Sequence, residues 1–66
     1  VEVRPGSRVI GEALRDVPLP GTTILVAIDR DGDIIVPKGD TRFAAGDKII
    51  AFTDAAGRER LHRAFA

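Results

Sequence analysis

The sequence predicts a small α+β fold, strand-helix-strand-strand-strand-helix, with helices packed on an antiparallel or mixed sheet. Three observations carry that expectation. Asp31-Gly32 stands between two apolar runs, Ile24–Ile28 and Ile34–Val36, which is the strongest short-range hairpin signal. Gly46-Asp47 then turns the chain into a further apolar run, Lys48–Phe52. Finally, the tail from Asp54 to Ala66 places Leu61, Ala64 and Phe65 at i, i+3 and i+4, an amphipathic helical stripe.

The elements follow in order. Val1-Glu2-Val3-Arg4 alternates apolar and polar residues and predicts a short edge strand, broken by Pro5-Gly6-Ser7. Gly11 to Val17 offers one or two helical turns, with Ile10, Ala13, Leu14 and Val17 as the apolar stripe. Pro18 cannot continue that helix, so Pro18-Leu19-Pro20-Gly21 is a connector. Thr22 to Asp29 is β-rich and apolar on both faces, the pattern of a central strand covered on both sides. Antiparallel pairing of Ile24–Ile28 with Ile34–Val36 follows from the Asp-Gly turn, and Pro37 ends the second strand. In the loop Lys38–Ala45, Phe43 is the one large apolar residue and is expected to tuck inward. Thr53 or Asp54 is placed to N-cap the last helix, whose wet side carries Arg58, Glu59, Arg60 and Arg63. Gly57 weakens its first turn by roughly 1 kcal/mol against Ala.

Sixty-six residues make one domain, 1–66, whose core is marginal because so small a chain buries only about 60% of the surface it exposes when unfolded. With no cysteine, neither a disulfide nor a thiolate metal site supplements it. Oligomerisation is the common remedy, so a homodimer is expected. Ten basic and ten acidic side chains cancel, which argues against a nucleic-acid partner or a membrane surface recruited by bulk charge. Apolar runs such as Ile24–Ile28 fall far short of the ~20 residues that span a bilayer. The chain starts without Met and mid-pattern, so it is expected to be a fragment of a longer protein.

No catalytic constellation is visible. Of Asp29, Asp31, Asp33 and Asp40, the first three alternate as in a calcium loop, but Gly32 stands at position four rather than six and Asp40, not Glu, at twelve. Hairpin-turn chemistry explains them better. Lys38-Gly39-Asp40-Thr41 lacks the spacing of a phosphate loop and opens no helix. His62 has no clustered ligand and no nucleophile beside it. Ser7, Thr22, Thr23, Thr41 and Thr53 fit capping and turns. Arg30, Lys38 and Arg42 are the candidate ligand-binding residues, able to hold a phosphate or carboxylate. The competing reading is exposed charge paired with neighbouring Asp. The chain is therefore read as a non-enzyme.

Four segments carry a family resemblance. They are Ser7-Arg8-Val9-Ile10-Gly11-Glu12-Ala13-Leu14, Val26-Ala27-Ile28-Asp29-Arg30-Asp31-Gly32, Ile35-Val36-Pro37-Lys38-Gly39-Asp40-Thr41 and Ala45-Gly46-Asp47-Lys48-Ile49-Ile50. In this order and spacing the chain resembles the C-terminal domain of regulators of potassium conductance, the TrkA-C or RCK-C domain. The resemblance implies a cytoplasmic regulatory domain that pairs two-fold. Its partner would be a membrane-embedded channel, potassium uptake system or cation/proton antiporter, in the same chain or another, at the cytoplasmic face of the inner membrane. It also implies a nucleotide or cyclic dinucleotide as ligand in some members, though none is required by this sequence. Members that look like cyclic di-AMP sensors carry an Arg and a Tyr-Gly between the first helix and second strand. Here that span is Pro18-Leu19-Pro20-Gly21-Thr22-Thr23. The alternative is a DNA-binding swapped-hairpin module of the antitoxin or transition-state-regulator type, which Ile35–Lys38 followed by Gly46–Ile49 also resembles. Its short Pro-to-Gly span and zero net charge disfavour it.

Overall fold

The computed structural model describes residues 1–66. Strands β1 (Ile24–Arg30), β2 (Asp33–Ile35) and β3 (Lys48–Phe52) form one antiparallel sheet in the order β2-β1-β3, and helix α1 (Ala55–Ala64) closes the chain. The α+β class holds, with a smaller inventory of regular elements than the sequence suggests.

The hairpin turns where expected, but it pairs Ile28–Arg30 with Asp33–Ile35: β2 stops at Ile35, short of Val36, and most of Ile24–Ile28 pairs with β3 instead. Arg30 pairs with Asp33, leaving a two-residue turn in which Asp31 has φ 53° and Gly32 φ 87°. Both values are positive, as a type I′ turn requires. The Asp29 carboxylate locks the turn by accepting the Gly32 N–H at 3.0 Å. A Cβ on Gly32 would meet nothing within 4 Å, so backbone strain is the whole cost of a side chain there. Gly32→Val is expected to destabilise the chain by about 1–3 kcal/mol. Thermal unfolding measures this, and an unchanged melting temperature would contradict the turn.

Two elements are smaller than expected. The Val1–Arg4 strand reduces to a single bridge, Glu2 with Lys48. It still lines the free edge of β3, since Ile49 N–H donates to the Val1 carbonyl at 2.6 Å, and it continues along the turn before β3, where Val3 N–H donates to the Asp47 carbonyl at 2.8 Å and Gly46 N–H to the Val3 carbonyl at 2.7 Å. The Gly11–Val17 helix reduces to one 3-10 turn, Leu14–Asp16. Here Gly11 takes φ 83° and Gly11 and Leu14 bond across to the Thr41–Phe43 segment, leaving only the Asp16-to-Ala13 and Val17-to-Leu14 bonds of a single turn. Gly11 N–H reaches the Phe43 carbonyl, and Leu14 N–H the Thr41 carbonyl, each at 2.8 Å. The buried positions consequently run Val9, Ala13, Val17, while Ile10 is exposed.

A core of Val3, Val9, Val17, Ile28, Phe43, Ile49, Leu61 and Phe65 fills the space between the sheet, the first segment and α1. Phe43 does tuck inward, meeting Phe65 edge-to-face at 5.1 Å between ring centres. Asp54 caps α1 by accepting the Gly57 N–H at 2.7 Å. Thr53 pairs instead with the Thr23 hydroxyl at 2.9 Å.

Gly57 has a steric reason to be glycine. It is buried, and a Cβ there would collide with Thr53 Oγ1 and lie 2.9 Å from Asp54 Oδ1. Gly57→Ala gains about 1 kcal/mol of helix propensity. It displaces the Thr23–Thr53 hydrogen bond and crowds the cap, costs of about 1 kcal/mol each. The expected result is a net loss of stability, measured by thermal unfolding; a gain would show that both hydroxyls relax freely.

Candidate functional site

The sheet has an inner and an outer face. Leu25, Ile28, Ile35, Ile49 and Ala51 turn toward the core. Between Leu25 and Ala27 the β1–β3 register shifts by a bulge. A bulge sets two residues of one strand opposite one of its partner. Ile24, Val26, Ile34, Val36, Ile50 and Phe52 are left on the outer side, and their exposures run from 41% to 71%. The expectation that β1 is covered on both faces is therefore corrected: within one chain only the inner face is covered, because α1 and the first segment both pack there. At one end the outer apolar surface meets a charged row, Asp29 opposite Lys48 in register. Large exposed apolar surfaces of this kind mark interaction sites in soluble proteins.

Arg30, at the end of β1, is held firmly. Its Nε donates to Asp47 Oδ1 and its Nη2 to Asp47 Oδ2, both at 2.8 Å, in a bidentate pair. The same Nη2 donates to the Arg42 carbonyl at 2.9 Å. Asp47 is fully buried, and its Oδ2 also accepts the Ala44 N–H at 2.9 Å. Hydrogen bonding from Arg30 holds the Asp47 carboxyl below its ordinary pKa, against the opposing pull of burial. The Asp47 hydrogen bond likewise raises the pKa of Arg30, which stays charged. Arg42 sends Nη1 to the Gly11 carbonyl at 2.6 Å, tying the loop to the first segment. The Lys38 backbone N–H donates to Thr41 Oγ1 at 2.9 Å, closing the loop, while its ammonium is exposed.

Of the three candidate ligand residues, Arg30 and Arg42 are thus brought together through one carbonyl, each with part of its guanidinium engaged. No hydrogen bond joins Lys38 to either. Asp47 was the residue that sequence reasoning missed. Its place in a Gly-Asp pair reads as turn chemistry, and nothing local announces that its carboxylate is buried under a distant arginine.

The TrkA-C domain model matches residues 1–66, the whole chain. The chain belongs to the TrkA-C domain family. Among relatives, the Trk system potassium uptake protein TrkA homolog of Archaeoglobus fulgidus is 34% identical over 59 residues, 89% of this chain and 14% of that protein. The putative Na(+)/H(+) antiporter YjbQ of Bacillus subtilis is 50% identical over 44 residues, 67% of this chain and 7% of that protein. This TrkA-C domain therefore spans about a seventh or less of the length of these relatives. A solved chain described as "Structure of RCK domain with cda" superposes with a TM-score of 0.87 at 27% identity, covering 100% of this chain and 93% of that one. In this TrkA-C domain no helix is long and apolar enough to cross a membrane.

Proposed function

We propose that residues 1–66 form one cytoplasmic regulatory domain of a longer cation transport protein, acting on potassium uptake or cation/proton exchange, and that it works as a homodimer. The carrying observation is the whole-chain TrkA-C match joined to an outer sheet face that its own chain leaves bare. The names of the relatives, a potassium uptake protein and a putative antiporter, supply the transport context. A second copy is the occupant we propose for this face. A standard interface buries about 800 Å² per partner, under a fifth of the 4390 Å² this chain exposes.

Regulation follows from pairing. A ligand moves a gate only through a difference in affinity for its two states, and a dimer whose cleft differs between those states supplies that difference. Arg30, Lys38 and Arg42 are the proposed anion contacts, with the exposed Lys38 ammonium as the freest of them. The solved RCK domain described as with cda supports testing for a small ligand, and a nucleotide or cyclic dinucleotide is the class the family resemblance puts first. The span Pro18–Thr23 lacks the Arg and Tyr-Gly of cyclic di-AMP sensors, so the phosphate would fall to these three residues.

The test is a thermal-shift titration with cyclic di-AMP, ATP, NADH, potassium and sodium. Saturating ligand at a hundred times Kd adds about 2.7 kcal/mol to the folded state, about 10–20 °C in a chain of this size. A saturable rise that Lys38→Ala diminishes supports sensing through this loop. No rise with any of the five removes sensing from the proposal and leaves pairing and transmission.

A further inference from the structure

A second concave surface lies away from the outer sheet face, between the first segment and α1. It is a groove of about 410 Å³, within the range of small-molecule sites. The buried Val9 and Val17 lend it an apolar floor. Glu12 and Asp16 come from the first segment, Arg60 from α1, and Arg8 from the turn before Val9.

These opposite charges line one cavity and form no ion pair across it. The chain has two ion pairs, Arg30–Asp47 and Arg63–Glu59, and neither spans the groove. Arg63 also borders the cavity, but its Nη2 is engaged by Glu59 at 2.9 Å. Arg8 donates one N–H to the Arg63 carbonyl at 3.3 Å, and Arg60 has no protein partner. An occupant with a single charge would meet lining groups of both signs, attracted by one set and repelled by the other. An occupant with both charges and an apolar middle satisfies both walls and covers the valines.

We propose that this groove binds a zwitterionic small molecule. Its ammonium sits toward Glu12 and Asp16, its carboxylate or phosphate toward Arg60 and Arg8, and its apolar body over Val9 and Val17. The outer sheet face lies elsewhere, and none of Arg30, Lys38 and Arg42 lines the groove.

The test is a ¹⁵N–¹H NMR titration of the chain with 6-aminohexanoate, against hexanoate and hexylamine as single-charge controls. The expected result is saturable shifts at the amides of Arg8, Glu12, Val17 and Arg60, with both controls binding at least about tenfold more weakly, the loss of one charge-assisted contact. Arg60→Glu, an exposed helix position that leaves the remaining spectrum in place, is expected to weaken 6-aminohexanoate about tenfold for the same reason. The groove shifts are also expected to persist in Phe52→Glu, so loss of pairing and loss of this site are separable. Equal responses to all three compounds, shifts reproduced by sodium chloride, no saturation, or an unaffected Arg60→Glu each overturns the proposal.

Discussion

Asp47→Ala is expected to lower stability by about 2–4 kcal/mol, with the melting temperature falling about 10–25 °C. The carboxylate is fully buried and holds Arg30 by two hydrogen bonds and Ala44 by a third. Its removal leaves a backbone N–H and a guanidinium without their acceptor. Arg30 is 36% exposed, so water screens part of the loss and the figure sits at the lower end for a broken buried pair. Against a total of about 3–10 kcal/mol for a chain of this length, the variant loses much of its margin. Asp47→Asn keeps the shape, but its amide NH2 sets a donor against an Arg30 or Ala44 donor, so it is expected to lose a comparable amount. The same pair sets the acid response. Because Asp47 has a depressed folded-state pKa, its contribution is complete above the unfolded carboxyl value of about 3.9 and is lost as pH falls through the lower folded value. Denaturation midpoints measured from pH 6 downward should fall below about pH 4, and this component should be missing in Asp47→Asn.

Phe52→Glu is expected to convert a two-chain species into single chains while leaving the fold intact. Phe52 is 71% exposed in one chain and lies opposite Ile24, which is 67% exposed. Neither supports the core. Burying a large apolar side chain gives about 1.5–3 kcal/mol, and a two-fold interface uses each position twice, so the dimer Kd should rise more than about a hundredfold. Sedimentation equilibrium reads that change and circular dichroism confirms the fold. The contrasting variant is Ile28→Glu, on the inner face at 0% exposure, which should unfold the chain outright. If Phe52→Glu instead lost its fold and kept its association state, the two faces would have to be exchanged.

Much of this architecture was legible in the residues. Asp31-Gly32 demands positive φ, and the turn has it. The Lys48–Phe52 run became β3, and the stripe of Leu61 and Phe65 became the buried side of α1 and its C-cap. The apolar run of β1 was read correctly as two-faced, but a single sequence does not say what covers the second face. The Gly11–Val17 stretch misled because local periodicity competes with long-range pairing. Its N–H groups found the Thr41–Phe43 carbonyls, thirty residues away or nearly so. The Arg30–Asp47 pair was illegible for the same reason, joining residues 17 apart through a loop. Gly57 looked like a weak helix residue, and only the neighbouring hydroxyls explain it.

The most direct test of the central claim is the solution mass of the wild-type chain by light scattering from about 1 to 100 µM, a range that brackets the affinities expected of a modest interface. A mass tending to twice the 7.1 kDa of one chain, with Phe52→Glu held at the single value, is the predicted result. A mass of 7.1 kDa throughout would contradict self-pairing and assign the bare sheet face to some other partner.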